Sequence, residues 1–341
     1  MKHVSIIVPE GQNNVSSIVG PFKIFNKANA YWKSLGNEPV FRVQVVGLSK
    51  TVELYDGLFT IKPHAFIADI THTDLIIIPA LSGDFPAKLA FNTEYFPWIV
   101  KHYAQGAEIA SICTGAFILA ATGLLDGRQC STHWVAASTF RKSFPQVELI
   151  TEKIITDEQG IYTNGGAFSF LHLLIYLVEK YYDRPTAIYC SKIFQIDMDR
   201  FSQSPFTIFS GQKTHDDELI KDAQVFMEKN MAEKISVDQL ATSLNINRRS
   251  FDRRFIKATN NTPLEYLQRV RIEAAKRLLE TSQQSVNEVL YEVGYADIKA
   301  FREVFKKITG LSPLDYRARY HRTQRIPELV HRQHQDTLRD Y

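Results

Sequence analysis

Two groups of residues have the types and spacing for chemistry. The first is a cysteine between an apolar run and a helix-forming run, Ser111-Ile112-Cys113-Thr114-Gly115-Ala116. A strand-to-helix corner presents its side chain sharply, and a helix N-terminus would favour the thiolate. Thr132-His133-Trp134 follows downstream, so a Cys–His pair for nucleophilic chemistry is available. The competing reading is a packed free cysteine and a hydrogen-bonded histidine. The second group is basic: Arg248, Arg249, Arg253, Arg254 and Lys257 lie within ten residues. On one helix face they would suit bases and phosphates, since the arginine fork matches guanine O6 and N7. A solvated charged face is the alternative.

The elements that position the basic group come from a repeat. Val237, Leu240, Ala241 and Leu244 recur 49 residues later as Val286, Val289, Leu290 and Val293. Phe251 and Phe255 recur 50 later as Phe301 and Phe305, and Thr262-Pro263 as Ser312-Pro313. Each copy is an apolar stripe at helical spacing, a polar break and a basic helix, the pattern of a helix-turn-helix. Asn247 is expected as N-cap of the first basic helix. With Phe251 and Phe255 inward, Arg249 and Arg253 are expected at bases, and Arg248, Arg254 or Lys257 at phosphates. Thr262 caps a connecting helix with Pro263 in its first turn and an apolar stripe of Leu264, Leu267, Ala274, Ala275 and Leu278. Two units on one duplex face would place their reading helices about 34 Å apart.

The first part of the chain alternates strand-like and helical runs: Val4–Val8, a helix from about 20 to 35, Phe41–Val46, Leu75–Ile78, a helix ending near Gly106, and Glu108–Ile112. A helix over 114–121, a hairpin turning near Gly160 and an apolar helix over 168–181 follow. This predicts an α/β sheet with helices on both faces. From Arg184 to His215 prolines and serines weaken the pattern. The expected division is 1–195 as an effector or dimerisation domain, 196–215 as linker, 216–325 as DNA-binding domain and 326–341 as polar tail.

Val293 to Lys307, followed by Thr309-Gly310-Leu311-Ser312-Pro313 and Tyr316-Arg317, closely resembles the signature of AraC-type transcriptional regulators. The resemblance covers about 235 to 321. It implies that Ile298, Lys299 and Arg302 face the groove, with Lys306 near phosphate. Glu303 stands where many relatives carry a basic residue; a carboxylate there either accepts from cytosine N4 or repels phosphate. The cysteine corner with Gly123-Leu124-Leu125-Asp126-Gly127 and Thr132-His133-Trp134 resembles the DJ-1/PfpI superfamily, of the class I glutamine amidotransferase-like fold. The combination resembles GlxA-type regulators. Enzymes of the superfamily need an acid near the cysteine; the matching position here is Ser17, and Ala80-Leu81 replaces a Gly-Gly. Thr163-Asn164-Gly165-Gly166 matches a pocket loop, while His172 stands where relatives often carry Asp. The resemblance implies an effector pocket without turnover, lined by Cys113, Thr114, His133, Leu81 and Gly166.

Composition sets the outer limits. Hydrophobic content of 45% and charged content of 23% are ordinary for a globular chain. The net charge of +3 is local. Seventeen Lys/Arg face ten Asp/Glu between residues 235 and 325, while eighteen of each balance up to residue 215. Such a basic stretch suits phosphates. Three scattered cysteines form neither a disulfide framework nor a zinc site. No metal or cofactor is expected. No run approaches the roughly 20 apolar residues of a membrane span, and no signal-peptide pattern precedes Val4, so a cytoplasmic, nucleoid-associated location is expected. The leading expectation is a homodimeric transcription factor bound to promoter DNA and controlled by a small metabolite. The relatives suggest an amino acid or small amine, with Trp134, Phe85 or Phe168 as candidate aromatic contacts. Alternatives are a Cys-dependent hydrolase or amidase tethered to DNA, and an adaptor whose first half only dimerises.

Overall fold

The structure is a computed structural model describing residues 1–11 and 13–321. The expected tail at 326–341 lies outside the described residues. The chain divides into two compact units, Met1–Thr207 and a second from Ile208 onward.

In the first unit, chain order is β1 (Lys2–Val8), α1 (Ser16–Ser34), β2 (Phe41–Gly47), β3 (Val52–Leu54), β4 (Phe59–Ile61), β5 (Ala65–Phe66), β6 (Leu75–Ile78), α2 (Phe85–Leu89), α3 (Tyr95–Ala104) and β7 (Glu108–Ile112). Then follow α4 (Ala116–Ala121), β8 (Gln129–Cys130), α5 (Ala137–Ser143), β9 (Glu148–Leu149), β10 (Ile155–Glu158), β11 (Ile161–Asn164), α6 (Phe170–Tyr181) and α7 (Arg184–Phe194). The main sheet runs β10-β11-β7-β6-β1-β2-β5. All its pairings are parallel except the β10–β11 hairpin.

Strand alternation assigns side chains to two cores. Val4, Ile6 and Val8 of β1, with Leu75 and Ile77 of β6, pack under α1, α6 and α7. Ile7, Ile76 and Ile78 face the opposite way, onto Trp98, Ile99, Phe117 and Phe140 of α3, α4 and α5. The weak pattern after Arg184 conceals a helix. Asp183 caps α7, Pro185 sits in its first turn where no N–H is needed, and Ala187 and Cys190 are buried. Residues 196–207 pack with this unit, and Gln203 among them is buried.

The second unit contains α8 (Glu218–Lys229), α9 (Val237–Ser243), α10 (Arg248–Thr259), α11 (Pro263–Thr281), α12 (Val286–Glu292), α13 (Ile298–Thr309) and α14 (Pro313–Tyr320). The sequence repeat is a structural repeat. Asn247 caps α10 and Asp297 caps α13; Thr262 caps α11 and Ser312 caps α14. The Thr259 hydroxyl donates to Phe255 O at 2.8 Å, and that of Thr309 to Phe305 O at 2.8 Å. Phe255 meets Tyr266 edge-on at 5.4 Å, as Phe305 meets Tyr316 at 5.5 Å. Helix α11 serves both halves, giving Tyr266 and Leu267 to one core and Ile272, Ala275 and Leu279 to the other. Leu264, expected in its apolar stripe, is exposed instead.

Candidate nucleic-acid interface and cysteine elbow

The reading surfaces follow from which side chains the two cores take. Phe251 and Phe255 are fully buried, which leaves Arg249, Arg253, Ile256 and Lys257 exposed on α10. Burying Phe301 and Phe305 likewise exposes Lys299, Arg302, Glu303 and Lys306 on α13. Ile298, expected at the groove, is half-buried against the second core.

The arginines of α10 divide by partner. Arg248 Nε lies 2.9 Å from Asp252 and its Nη1 3.1 Å from Asp238. Arg254 is held by both carboxylate oxygens of Asp217 at 2.8 and 2.6 Å. Among the described residues neither Arg249 nor Arg253 has an ion pair. The sequence could not separate these four, because Asp217 lies 37 residues from Arg254.

The cysteine corner has the expected sharp turn. Strand β7 ends at Ile112, Cys113 takes a left-handed backbone (φ 55°), and a short 3-10 turn leads into α4. Gly115 allows this approach: a Cβ there would lie 2.6 Å from the carbonyl oxygens of Ile78 and Pro79. Thr114 donates its hydroxyl to Leu81 O at 2.6 Å, and Thr132 donates to Cys113 O at 2.8 Å.

Burial works against the thiolate expected from the helix N-terminus. Burial pushes the Cys113 thiol up to about 11, and hydrogen bonds from Thr114 and the His133 backbone offset only part of this. His133 is half-buried and accepts at Nδ1 from the Val135 N–H at 3.2 Å. Burial lowers its pKa below the usual value, so the ring is neutral at neutral pH. Ser17, expected at the superfamily's acid position, is buried. Its hydroxyl donates to Asn14 O at 2.6 Å and accepts the Ala80 N–H at 3.0 Å. Leu81 is buried beside it. His172 lines a cleft of about 180 Å³ with Tyr176, Asp197 and Phe201. Cys113 is not among that cleft's walls. Of the aromatic candidates, Phe85 stacks on Phe117 at 4.5 Å, Phe168 is exposed, and Trp134 adjoins His133.

Sequence reasoning missed Gln203. Its amide donates to Thr132 O at 3.0 Å, and a Cβ at Gly165 would collide with it. Gly166 beside it has φ 89°. The elbow is thereby bonded to the chain leading out of the first unit. Among the described residues no group of three His, Cys, Asp or Glu side chains is placed to hold a metal ion. None of the described helices is long and apolar enough to cross a membrane.

A class I glutamine amidotransferase-like α/β unit with an elbow cysteine, followed by a duplicated helix-turn-helix, defines a class of DNA-binding regulators. Residues 2–180 match the DJ-1/PfpI family, and residues 240–319 match a helix-turn-helix domain of AraC type. The chain belongs to the DJ-1/PfpI family. It is 26% identical over 309 residues to the HTH-type transcriptional regulator GbdR of Pseudomonas aeruginosa, covering 89% of this chain and 80% of that one. It is 26% identical over 219 residues to the HTH-type transcriptional regulator GlxA of Rhizobium meliloti, covering 63% and 66%. Among solved structures, a putative transcriptional regulator from Vibrio parahaemolyticus shares the fold with a TM-score of 0.51 at 23% identity, over 56% of this chain and 98% of that one. The protein is a DNA-binding transcriptional regulator of this type.

Proposed function

We propose that the first unit is a non-catalytic sensor that controls promoter binding by the second, in a homodimer. The carrying observation is the elbow. Its thiol is buried, which raises its pKa, and its acid position holds Ser17, engaged with Asn14 and Ala80. A nucleophile needs a lowered pKa or an adjacent base, and here the shift runs the other way. What the elbow retains is connection. Cys113 O is held by Thr132, and Thr132 O by Gln203, four residues before the end of the unit. A metabolite bound near Cys113, Thr114, His133, Leu81 and Gly166 would favour one arrangement of this chain of bonds, and its effect on DNA affinity would equal its differential affinity for the two states. An amino acid or small amine is the proposed chemistry, by analogy with GlxA-type regulators. For base contacts we propose Arg249 and Arg253 on α10 with Lys299 and Arg302 on α13; for phosphates, Lys257 and Lys306.

Thermal shift of the full chain across a metabolite collection tests this. A ligand that binds the folded chain raises the melting temperature, by an amount that grows with the logarithm of its concentration relative to its Kd. The expected hit also changes promoter-fragment affinity and is weakened by Gln203→Ala. Turnover of a hit, abolished in Cys113→Ala, would overturn the non-catalytic reading.

A further inference from the structure

We propose that Arg271 and Gly294 form a joint that locks the two helix-turn-helix units in one mutual orientation, so that α10 and α13 engage a single duplex together. The proposal rests on the DNA-reading role of both helices. Arg271 lies on α11 where that helix passes from the first core to the second, between Leu267 and Ile272. Its guanidinium reaches back to the α8–α9 connection, with Nε donating to Met231 O at 2.7 Å and Nη2 to Glu233 O at 2.8 Å. The same guanidinium lies over the Tyr295 ring at 5.5 Å, and Tyr295 meets Phe301 of α13 edge-on at 5.3 Å. One side chain therefore connects the loop before the first helix-turn-helix to the recognition helix of the second helix-turn-helix. A lysine donates from one nitrogen on a flexible stem and lacks the rigid fork whose two nitrogens reach the two carbonyls here.

Gly294 closes the joint from the other side. It occupies the helix-turn-helix corner with φ 81°. In the first copy the corresponding corner, 49 residues earlier, is Asn245 with φ 54°, so a side chain is compatible with the turn itself. At Gly294 it is not: a Cβ would lie 2.7 Å from both Met231 O and Ala232 O. The missing side chain thus serves close approach of the second helix-turn-helix to the α8–α9 connection. Those contacted carbonyls lie in the segment Arg271 holds.

Two tethered sites of fixed geometry bind a matching duplex far more tightly than either alone, and the gain vanishes when the geometry is lost. The test uses the full chain and a duplex that it selects from a random-sequence pool. Affinity is measured on that duplex and on two versions with one or the other protected segment scrambled. Arg271→Gln and Gly294→Ala should each lower affinity for the intact duplex by roughly ten-fold while changing the scrambled duplexes less than about two-fold. Arg271→Lys should fall between. Unchanged affinity for the intact duplex, or an equal loss on all three, would overturn the joint. If both severe variants lose their cooperative melt, Arg271→Lys decides by the same two ratios. If the wild-type chain enriches no duplex, the DNA-reading assignment of the helices fails, and the joint with it.

Discussion

Asp217 caps the N-terminus of α8 through the Ile220 N–H and at the same time holds Arg254 of α10 through both its oxygens. One carboxylate fixes the reading helix to the helix that precedes the motif. Arg254 therefore contributes to the framework of the reading helix, and the phosphate role expected for it is not needed.

The first prediction concerns stability. Asp217→Ala should cost about 1–2 kcal/mol, the sum of a lost cap and a partly exposed ion pair. Hydrogen exchange of α8 and α10 amides would read it as reduced protection. The Arg254 guanidinium holds the Asp217 carboxyl below its usual range. A depressed carboxylate stabilises fully above its unfolded value of about 3.9 and loses that contribution as pH falls through the folded value. The gap between wild type and Asp217→Asn should be flat near neutrality and shrink below about pH 4. A gap that widens on acidification would contradict the pairing.

Arg253 and Arg248 should behave differently in DNA binding. Among the described residues Arg253 has no ion pair, so Arg253→Ala should weaken specific binding by about 1–3 kcal/mol. Arg248 is already shared between Asp252 and Asp238, so Arg248→Ala should alter the salt dependence less than Lys257→Ala does. Titrations at several salt concentrations measure both. Equal slopes for the two variants would return Arg248 to the phosphates.

All three cysteines are buried, and burial pushes Cys113 and Cys190 up to about 11 and Cys130 up to about 12. An aromatic disulfide reagent at about pH 8 should label the native chain slowly and all three thiols at once in denaturant. Fast labelling of one thiol, absent in Cys113→Ser, would restore a reactive elbow.

The repeat made the second unit legible. Phenylalanines at i and i+4, caps at Asn247 and Thr262, and the 49- and 50-residue offsets all encode local geometry, and local geometry is what a sequence displays. The cysteine corner was legible for the same reason, with small residues following a strand. The rest depends on distant partners. Pro185 reads as a break, yet it opens α7 because Asp183 caps that helix. Whether an arginine meets DNA or a carboxylate depended on Asp217, and the raised pKa of Cys113 depended on its burial in the first unit's core. Arg271 and Met231 are 40 residues apart, with no periodicity to link them.

Hydroxyl-radical footprinting of the full chain on its selected duplex tests most directly whether two reading helices act on one DNA. Two protected segments centred about one helical turn apart are expected, one weakened by Arg253→Ala and the other by Arg302→Ala. A single protected segment, weakened by Arg253→Ala and indifferent to Arg302→Ala, would contradict it.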